Sequence, residues 1–188
     1  PLRPVWVNIS PGQFEMAGLA DKVATLRRDH GIGPHLLYFE ITETAVMQNS
    51  EAQLGALQAL RNLGSRILID DFGTGYSSLS YLKHLPIDTL KIDRAFVRDM
   101  AVDQNDFAIV SAIVGIAKSL ALHLVAEGIE TVEQLECLRK LGCEAGQGFF
   151  FSRPISVADC TALLEKVRTQ RTGETTRHLR LLTTPPGG

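Results

Sequence analysis

The chain has 188 residues, 45% of them hydrophobic, with a formal net charge of −2 and an isoelectric point of about 6.2. A chain of this length can bury one sizeable core, which predicts one domain and at most two. The near-neutral charge offers no basic surface for duplex nucleic acid, and no apolar run approaches the roughly 20 residues that span a bilayer. We therefore expect a globular protein that contacts neither duplex nucleic acid nor a membrane.

The cysteines indicate the cellular compartment. Cys137, Cys143 and Cys160 lack a zinc spacing such as Cys-x-x-Cys, and three thiols cannot all pair with one another. No signal peptide opens the sequence. We expect the protein to work in a reducing cytoplasm.

Strand and helix patterns alternate along the chain. Apolar stretches predict strands at 5–8, 36–39, 67–69, 89–93, 122–126 and 148–151. Helices are predicted between them, at 11–29 with a stripe ending at Leu26, at 51–63, at 103–120, at 131–141 and from Pro154 to about Arg168. Polar, proline and glycine residues dominate from residue 169, so 169–188 is expected to be a flexible tail after a domain of residues 1–168.

The sixfold repetition of strand and helix predicts a parallel sheet of the α/β class. Such sheets bind ligands at the carboxyl ends of their strands. Every predicted strand has a polar group of metal-ligand or acid–base type at or near that end: Asn8, Glu40, Asp70 with Asp71, Lys91 with Asp93, Glu127, and Gln147 just before the last strand. One such carboxylate is an ordinary cap, but six strands in succession indicate a catalytic face.

The stretch 66–82 organises this face. Ile67, Leu68 and Ile69 lead to the adjacent carboxylates Asp70 and Asp71, and the glycine-hinged loop 72–75 follows. Because successive strand side chains point to opposite faces, both carboxylates can reach one site only where the strand ends. Two adjacent acids repel each other unless a cation or a proton lies between them.

The residue types indicate the chemistry. Carboxylates and one amide oxygen, without histidine, suit Mg²⁺ or Mn²⁺ rather than Zn²⁺. Two such ions can clamp the attacking and leaving oxygens of a phosphodiester, with Lys91 beside them for an anion or a water. Hydrolysis of a phosphate ester is therefore predicted. A Schiff-base aldolase that uses Lys91 is the rival, although it would not need so many acids around the lysine.

Several motifs together resemble the EAL domain family, the cyclic di-GMP-specific phosphodiesterases of bacteria. The resemblance covers residues 5–168 in order and spacing. The motifs are Asn8-Ile9-Ser10, Glu40-Ile41-Thr42-Glu43, Asp70-Asp71-Phe72-Gly73-Thr74-Gly75, Lys91-Ile92-Asp93, Glu127-Gly128-Ile129-Glu130 and Gln147-Gly148. The resemblance implies a TIM-type (β/α)8 barrel that opens cyclic di-GMP to linear pGpG with two Mg²⁺ or Mn²⁺ ions.

The resemblance also implies roles for individual residues. Metal ligands would be Asn8, Glu40, Asp70, Asp71 and Glu127, with Asp70 as the bridge. Lys91 would hold or help activate the attacking water, while Glu127 and Asp71 are further catalytic candidates whose division of labour stays open. Gln147 and Asp93 would lie towards the substrate, with Asp93 and Glu130 also supporting the ligands. Glu43 would anchor the loop of Gly73, Thr74 and Gly75, which would couple a homodimer interface to metal binding.

One departure affects the expected activity. The Glu-Ala-Leu motif, which the family carries on an earlier strand, is absent, and with it the first two strands of the barrel. We expect an incomplete barrel of six strands, with poor metal occupancy and weak or no activity in this chain alone. Either the chain is part of a longer protein, which its opening on Pro1 without methionine favours, or six strands assemble differently.

Two functional alternatives stay open. The intact protein is expected to be an active phosphodiesterase, with regulatory or diguanylate cyclase domains upstream. The alternative is a non-catalytic cyclic di-GMP receptor that uses the same pocket. The acids of the motifs above are all present, which favours the enzyme.

Overall fold

The computed structural model describes residues 4–47, 51–75 and 79–170. Its strands are β1 (Val5–Asn8), β2 (Leu37–Thr42), β3 (Ile67–Phe72), β4 (Thr89–Ile92), β5 (His123–Ala126) and β6 (Ala145–Gly146). Its helices are α1 (Pro11–Phe14), α2 (Leu19–Asp29), α3 (Glu43–Met47), α4 (Glu51–Asn62), α5 (Leu79–Leu82), α6 (Arg94–Asp99), α7 (Gln104–Ser119), α8 (Val132–Leu141) and α9 (Val157–Gln170).

The six strands form one parallel sheet in the order β1-β2-β3-β4-β5-β6. Parallel neighbours that follow each other in sequence need crossovers of the same hand, which place the helices on one face of the sheet. The register pairs Asn8 with Glu40 and Thr42 with Asp70, so the carboxyl ends of the first strands lie side by side. This confirms the predicted parallel α/β architecture.

The two faces of the sheet have different surroundings. Phe39, Ile41, Ile69 and other outward side chains join the helices in the main hydrophobic cluster. Alternation along the strands directs the remaining side chains to the inner face. Leu68, for example, is buried outside that cluster. The apolar layer between sheet and helices therefore fixes the strands whose ends carry the polar groups.

The predicted helix 11–29 is two helices in the structure. Gly18 has a left-handed φ of +78° and separates α1 from α2. The predicted stripe is wrong at Leu26, whose side chain is 47% exposed. Arg27 is buried beside it and donates hydrogen bonds to the carbonyls of Ile32 and Leu63, which ties the end of α2 to the end of α4.

The prediction of a bulky last strand at 148–151 is wrong. The sixth strand is Ala145–Gly146, and the three phenylalanines that follow are exposed, Phe149 by 51%. Pairing stops because β5 ends at Ala126, the partner of Gly146. The chain then turns, with the amide of Phe151 donating to the carbonyl of Gly148. The large apolar side chains of 148–151 therefore do not mark a paired strand.

The helices α3 and α6 were not predicted because they are too short to show a helical stripe. The helix α9 extends to Gln170, two residues beyond the predicted end, and the rest of the predicted tail lies outside the described residues. The expected helix cap at Asn49 and Ser50 also lies outside them. Within the described residues, the helices are too short or too polar to cross a bilayer.

Replacement of Leu68 by alanine tests the position of the inner face. Leu68 is 2% exposed, so Leu68→Ala should lower the free energy of unfolding by about 2–5 kcal/mol, measured by chemical denaturation. Leu26→Ala is the matched control, because Leu26 is 47% exposed and should cost about 0.5 kcal/mol or less. Equal losses in the two variants would place Leu68 at the surface.

Candidate metal-binding site

A β-bulge at the end of β3 brings two adjacent carboxylates to one side of the sheet. Ile69 pairs with Leu90 and Phe72 with Ile92, so β3 holds one residue more than β4 over the same interval. Asp71 has a left-handed φ of +56°, an uncommon conformation for a residue other than glycine. The extra residue returns Phe72 to the outer core and leaves both Asp70 and Asp71 facing the strand ends.

The side chain of Lys91 lies at the centre of the strand ends. Its Nζ is 3.2 Å from Oε2 of Glu40, 3.1 Å from Oδ1 of Asp70 and 3.1 Å from Oε2 of Glu127. The lysine side chain is only 5% exposed, whereas that of Glu127 is 29% exposed. One buried ammonium thus links carboxylates from β2, β3 and the residue after β5.

Burial and the neighbouring charges act in opposite directions on the Lys91 ammonium. Burial alone would lower the pKa of Lys91, but Glu40, Asp70 and Glu127 outweigh it and raise the pKa above its usual value. Burial also raises the pKa of Glu40, and the ammonium of Lys91 counteracts that rise. Lys91 is therefore a fixed cation in the neutral pH range.

The carboxyl group of Asp71 has a raised pKa. Burial, followed by the charge of Asp70, raises the pKa of Asp71 to about 6. The neighbouring carboxyl of Asp93 adds to this rise in the pKa of Asp71. Asp93 also caps α6 by accepting a hydrogen bond of 2.7 Å from the amide of Ala95. Asp71 therefore lies beside the residue that caps α6.

The carboxylates fit a divalent cation of the Mg²⁺ or Mn²⁺ type. One carboxylate oxygen from each of Asp70, Asp71 and Glu127 lies within 4.8 Å of the others. Glu40 adjoins them through Lys91, and Asn8 stands opposite Glu40 in the register of β1 and β2. Oxygen donors of this kind are those that Mg²⁺ and Mn²⁺ prefer. The acids outnumber the single lysine among them, which leaves a negative site able to accept a cation.

The loop after β3 is fastened by Glu43. Oε2 of this buried residue accepts a hydrogen bond of 2.9 Å from the amide of Gly73, and a Cβ at Gly75 would lie 3.0 Å from its Oε1. The hydroxyl of Thr74 donates to the carbonyl of Asp71 at 2.8 Å. Gly73 has a φ of +99°, and a Cβ there would lie 3.0 Å from the ring of Phe96 on α6. The loop is therefore held between α3 and α6.

A contact that the sequence did not reveal fastens α6 to the loop after β5. Gln134 is buried, accepts hydrogen bonds from the amides of Glu130 and Thr131, and donates one of 2.8 Å to the carbonyl of Arg98 at the end of α6. Gly128 leaves no room for a side chain beside Arg94. The sequence signal for Gln134 was its place in a capping box with Thr131, which does not indicate the second partner.

Three predicted site residues lie at the margin of the carboxylate cluster. Asn8 is exposed at the end of β1. Gln147 is partly buried after β6, and its backbone amide donates a hydrogen bond to the carbonyl of Ala126, beside Glu127. Glu130 is exposed before α8, where its amide takes part in the cap with Gln134. The structure places Asn8 and Gln147 at the strand ends and Glu130 outside the cluster.

The model of the EAL domain family matches residues 1–154 of this chain. MucR of Pseudomonas aeruginosa, a bifunctional diguanylate cyclase/cyclic di-GMP phosphodiesterase, is 50% identical over 149 residues, which are 79% of this chain and 22% of MucR. NbdA of the same organism, a cyclic di-GMP phosphodiesterase, is 44% identical over 167 residues, 89% of this chain and 21% of NbdA. The chain thus spans about a fifth of the length of these curated relatives.

Solved structures share the fold. The structure of the PaMucR phosphodiesterase in complex with c-di-GMP matches with a TM-score of 0.80 at 47% identity, covering 84% of this chain and 64% of that one. BlrP1 of Klebsiella pneumoniae, in complex with manganese and cyclic di-GMP, matches with a TM-score of 0.75 at 34% identity, covering 81% of this chain and 39% of that one.

The family match includes 154 of the 188 residues, and the two structural matches cover 84% and 81% of the chain. They confirm the predicted fold, an α/β barrel of the TIM type that is incomplete in this chain. The chain belongs to the EAL domain family.

Proposed function

We propose that the protein containing this chain hydrolyses cyclic di-GMP to linear pGpG with divalent metal ions. The observation that most supports this proposal is a cluster of charged side chains at the ends of the neighbouring strands β2 to β5, formed by Lys91, Glu40, Asp70 and Glu127. Relatives named as cyclic di-GMP phosphodiesterases, at 44–50% identity, favour the substrate. We place the reaction in the cytoplasm and the domain at residues 1–168.

The oxygen donors suit two Mg²⁺ or Mn²⁺ ions. Asn8, Glu40, Asp70, Asp71 and Glu127 would hold them, with Asp70 as the shared ligand. Bound divalent ions supply Lewis-acid polarisation of the phosphate and a reactive nucleophile at neutral pH. The manganese complex of BlrP1 supports the class of metal.

Lys91 is proposed to position the attacking water or a phosphate oxygen by donating hydrogen bonds. Its raised pKa makes it a donor and not a proton acceptor. The proton of the attacking water would therefore go to a carboxylate, for which Glu127 is the candidate because it is the most exposed partner of Lys91. Asp71 is the second candidate, because one of its carboxylate oxygens lies within 4.8 Å of those of Glu127 and Asp70.

The same observation counts against the aldolase alternative. A Schiff base forms from the neutral amine, and catalytic lysines of that kind have a lowered pKa. The three carboxylates around Lys91 raise its pKa instead. The receptor remains the second candidate function, because a binding module would keep the same pocket.

The remaining residues are proposed to support substrate and ligands. Gln147 and Asp93 would face the substrate side, and Asp93 would also support Asp71, whose carboxyl lies beside its own. Glu130 would support the ligands only indirectly, through the backbone cap with Gln134.

We further propose that the protein forms a homodimer and that the loop at Gly73 couples the dimer interface to metal binding. A Cβ at Gly73 would lie 3.0 Å from the ring of Phe96 on α6 and 3.2 Å from Ile113 on α7, so the loop passes close to both helices. Exposed apolar side chains, Val102 by 87% and Phe107 by 39%, lie near the start of α7. Light scattering should give the mass of two chains. Regulatory or diguanylate cyclase domains upstream are part of the proposal, supported by the bifunctional relative MucR.

Asp70→Asn should abolish turnover, because it removes the shared charge between the proposed metal positions. The measurement is chromatographic detection of pGpG from cyclic di-GMP with Mg²⁺ or Mn²⁺, using the whole protein that contains this chain. Asp29→Asn is the matched control, because Asp29 is exposed at the end of α2 and should leave turnover unchanged.

Two outcomes would overturn the proposed hydrolysis. Full turnover by Asp70→Asn would remove the carboxylate from the mechanism. If the unaltered protein binds cyclic di-GMP but leaves it intact for hours with either metal, the receptor function replaces the enzyme.

Glu43→Ala should raise the metal concentration needed for half-maximal activity while leaving the fold intact, because the loop at Gly73 loses its hydrogen-bond acceptor. Glu43→Gln keeps an acceptor oxygen and should behave more like the unaltered protein. Metal titration of activity, with circular dichroism for the fold, separates the two variants. An unfolded Glu43→Ala protein would give Glu43 a structural role instead.

The 188-residue chain alone is expected to be weakly active or inactive. A longer protein that supplies the Glu-Ala-Leu strand should produce pGpG under the same conditions. Equal rates from the two proteins would show that the missing strand is dispensable.

A further inference from the structure

Lys91 and a divalent metal ion would use the same carboxylates. Asp70 and Glu127 are ion-pair partners of Lys91, and they also belong to the group of oxygens that lie within 4.8 Å of one another around a candidate metal position. We propose that Lys91 is the internal counter-ion of the metal-free site and thereby sets the affinity of the site for metal. This inference rests on the metal-binding part of the proposed function.

The charges of the cluster are largely buried. The side chains of Lys91, Glu40 and Asp70 are 5%, 10% and 13% exposed, so water screens their charges poorly. Buried carboxylates without a cation are costly, and removal of one partner from such a cluster leaves an uncompensated charge. In the metal-free protein, the ammonium of Lys91 pairs with both of these carboxylates and with Glu127, and offsets part of their charge.

Both carboxylate oxygens of Asp70 already have partners in the metal-free protein. Its Oδ1 and Oδ2 lie 3.1 and 3.2 Å from Nζ of Lys91, and Oδ1 also accepts a hydrogen bond of 2.9 Å from the amide of Asp71. Both oxygens are therefore engaged before any metal binds. A divalent ion has to share or replace the lysine contacts, and its charge is repelled by the ammonium.

Lys91 has a fixed position in the sheet. It belongs to β4, between β3 and β5, and its backbone is paired in register with Val125. Strand pairing fixes the backbone of Lys91, and its side chain, only 5% exposed, is enclosed among the carboxylates of the neighbouring strands. Lys91 therefore lowers metal affinity in the same geometry that stabilises the metal-free protein.

Lys91→Met tests this role, because methionine keeps an unbranched apolar stem without the charge. The whole protein is stripped of metal with EDTA, and Mn²⁺ binding is measured by calorimetry alongside thermal unfolding. The variant should unfold about 5 °C or more below the unaltered protein without metal. It should bind Mn²⁺ roughly tenfold more tightly, and saturating Mn²⁺ should stabilise it more.

Two further variants serve as controls. Lys118→Met removes a lysine whose recorded contact is the carbonyl of Leu141, outside the carboxylate cluster, and should leave Mn²⁺ affinity unchanged. Lys91→Arg keeps a positive charge and should not tighten Mn²⁺ binding. General damage to the fold would weaken metal binding, so tighter binding by Lys91→Met alone identifies the counter-ion.

Unchanged or weaker Mn²⁺ binding by Lys91→Met would overturn the inference. If that variant does not fold without metal, folding that is restored by Mn²⁺ supports it, and failure of Mn²⁺ to restore folding overturns it. Neither readout depends on cyclic di-GMP. If the unaltered protein is inactive but Lys91→Met binds Mn²⁺ more tightly, only the proposed hydrolysis is refuted. If the unaltered protein is active but Lys91→Met binds Mn²⁺ no more tightly, only the counter-ion role is refuted.

Discussion

The ion pairs of Lys91 are the interaction on which the strand-end site depends. Three carboxylates, from β2, β3 and the residue after β5, converge within 3.2 Å of one buried ammonium. Acids at such separations repel one another, and in the metal-free protein the lysine balances part of that repulsion. The excess of acids over the lysine leaves the site negative, which is the condition for attracting divalent cations.

Two features of the parallel sheet create this convergence. The sequential strand order brings the carboxyl ends of neighbouring strands to one edge, so residues far apart in sequence become neighbours. The bulge at the end of β3 then adds the carboxylate of Asp71, which regular alternation would direct into the outer core. The glycine loop that follows is held by Glu43 and rests on α6, whose first turn Asp93 caps. Site, loop and outer helices therefore form one connected unit.

Much of the fold could be predicted from the sequence, because the strands carry apolar runs and the longer helices have clear caps and stops at residues such as Asp103, Thr131 and Gly142. Four of the predicted site residues meet at the strand ends, and their positions in the sequence were enough to name them: Glu40, Asp70, Lys91 and Glu127. The bulge could not be predicted, because a left-handed Asp71 depends on the pairing with β4. The hydrogen bond from Gln134 to the carbonyl of Arg98 and the short helix α6 could not be predicted either, because both depend on tertiary contacts. A strand was wrongly predicted at 148–151, because these large apolar side chains resemble a buried strand although no neighbouring strand pairs with them.

The most direct test of the metal centre is Mn²⁺ binding followed by electron paramagnetic resonance. The whole protein is titrated with Mn²⁺ beside its Asp70→Asn variant. If the strand-end carboxylates hold two metal ions, the unaltered protein should bind two Mn²⁺ ions with a magnetically coupled signal, and Asp70→Asn should lose that coupled pair. Absence of Mn²⁺ binding, or an unchanged coupled signal in the variant, would contradict the assignment of the strand-end carboxylates as a two-metal centre.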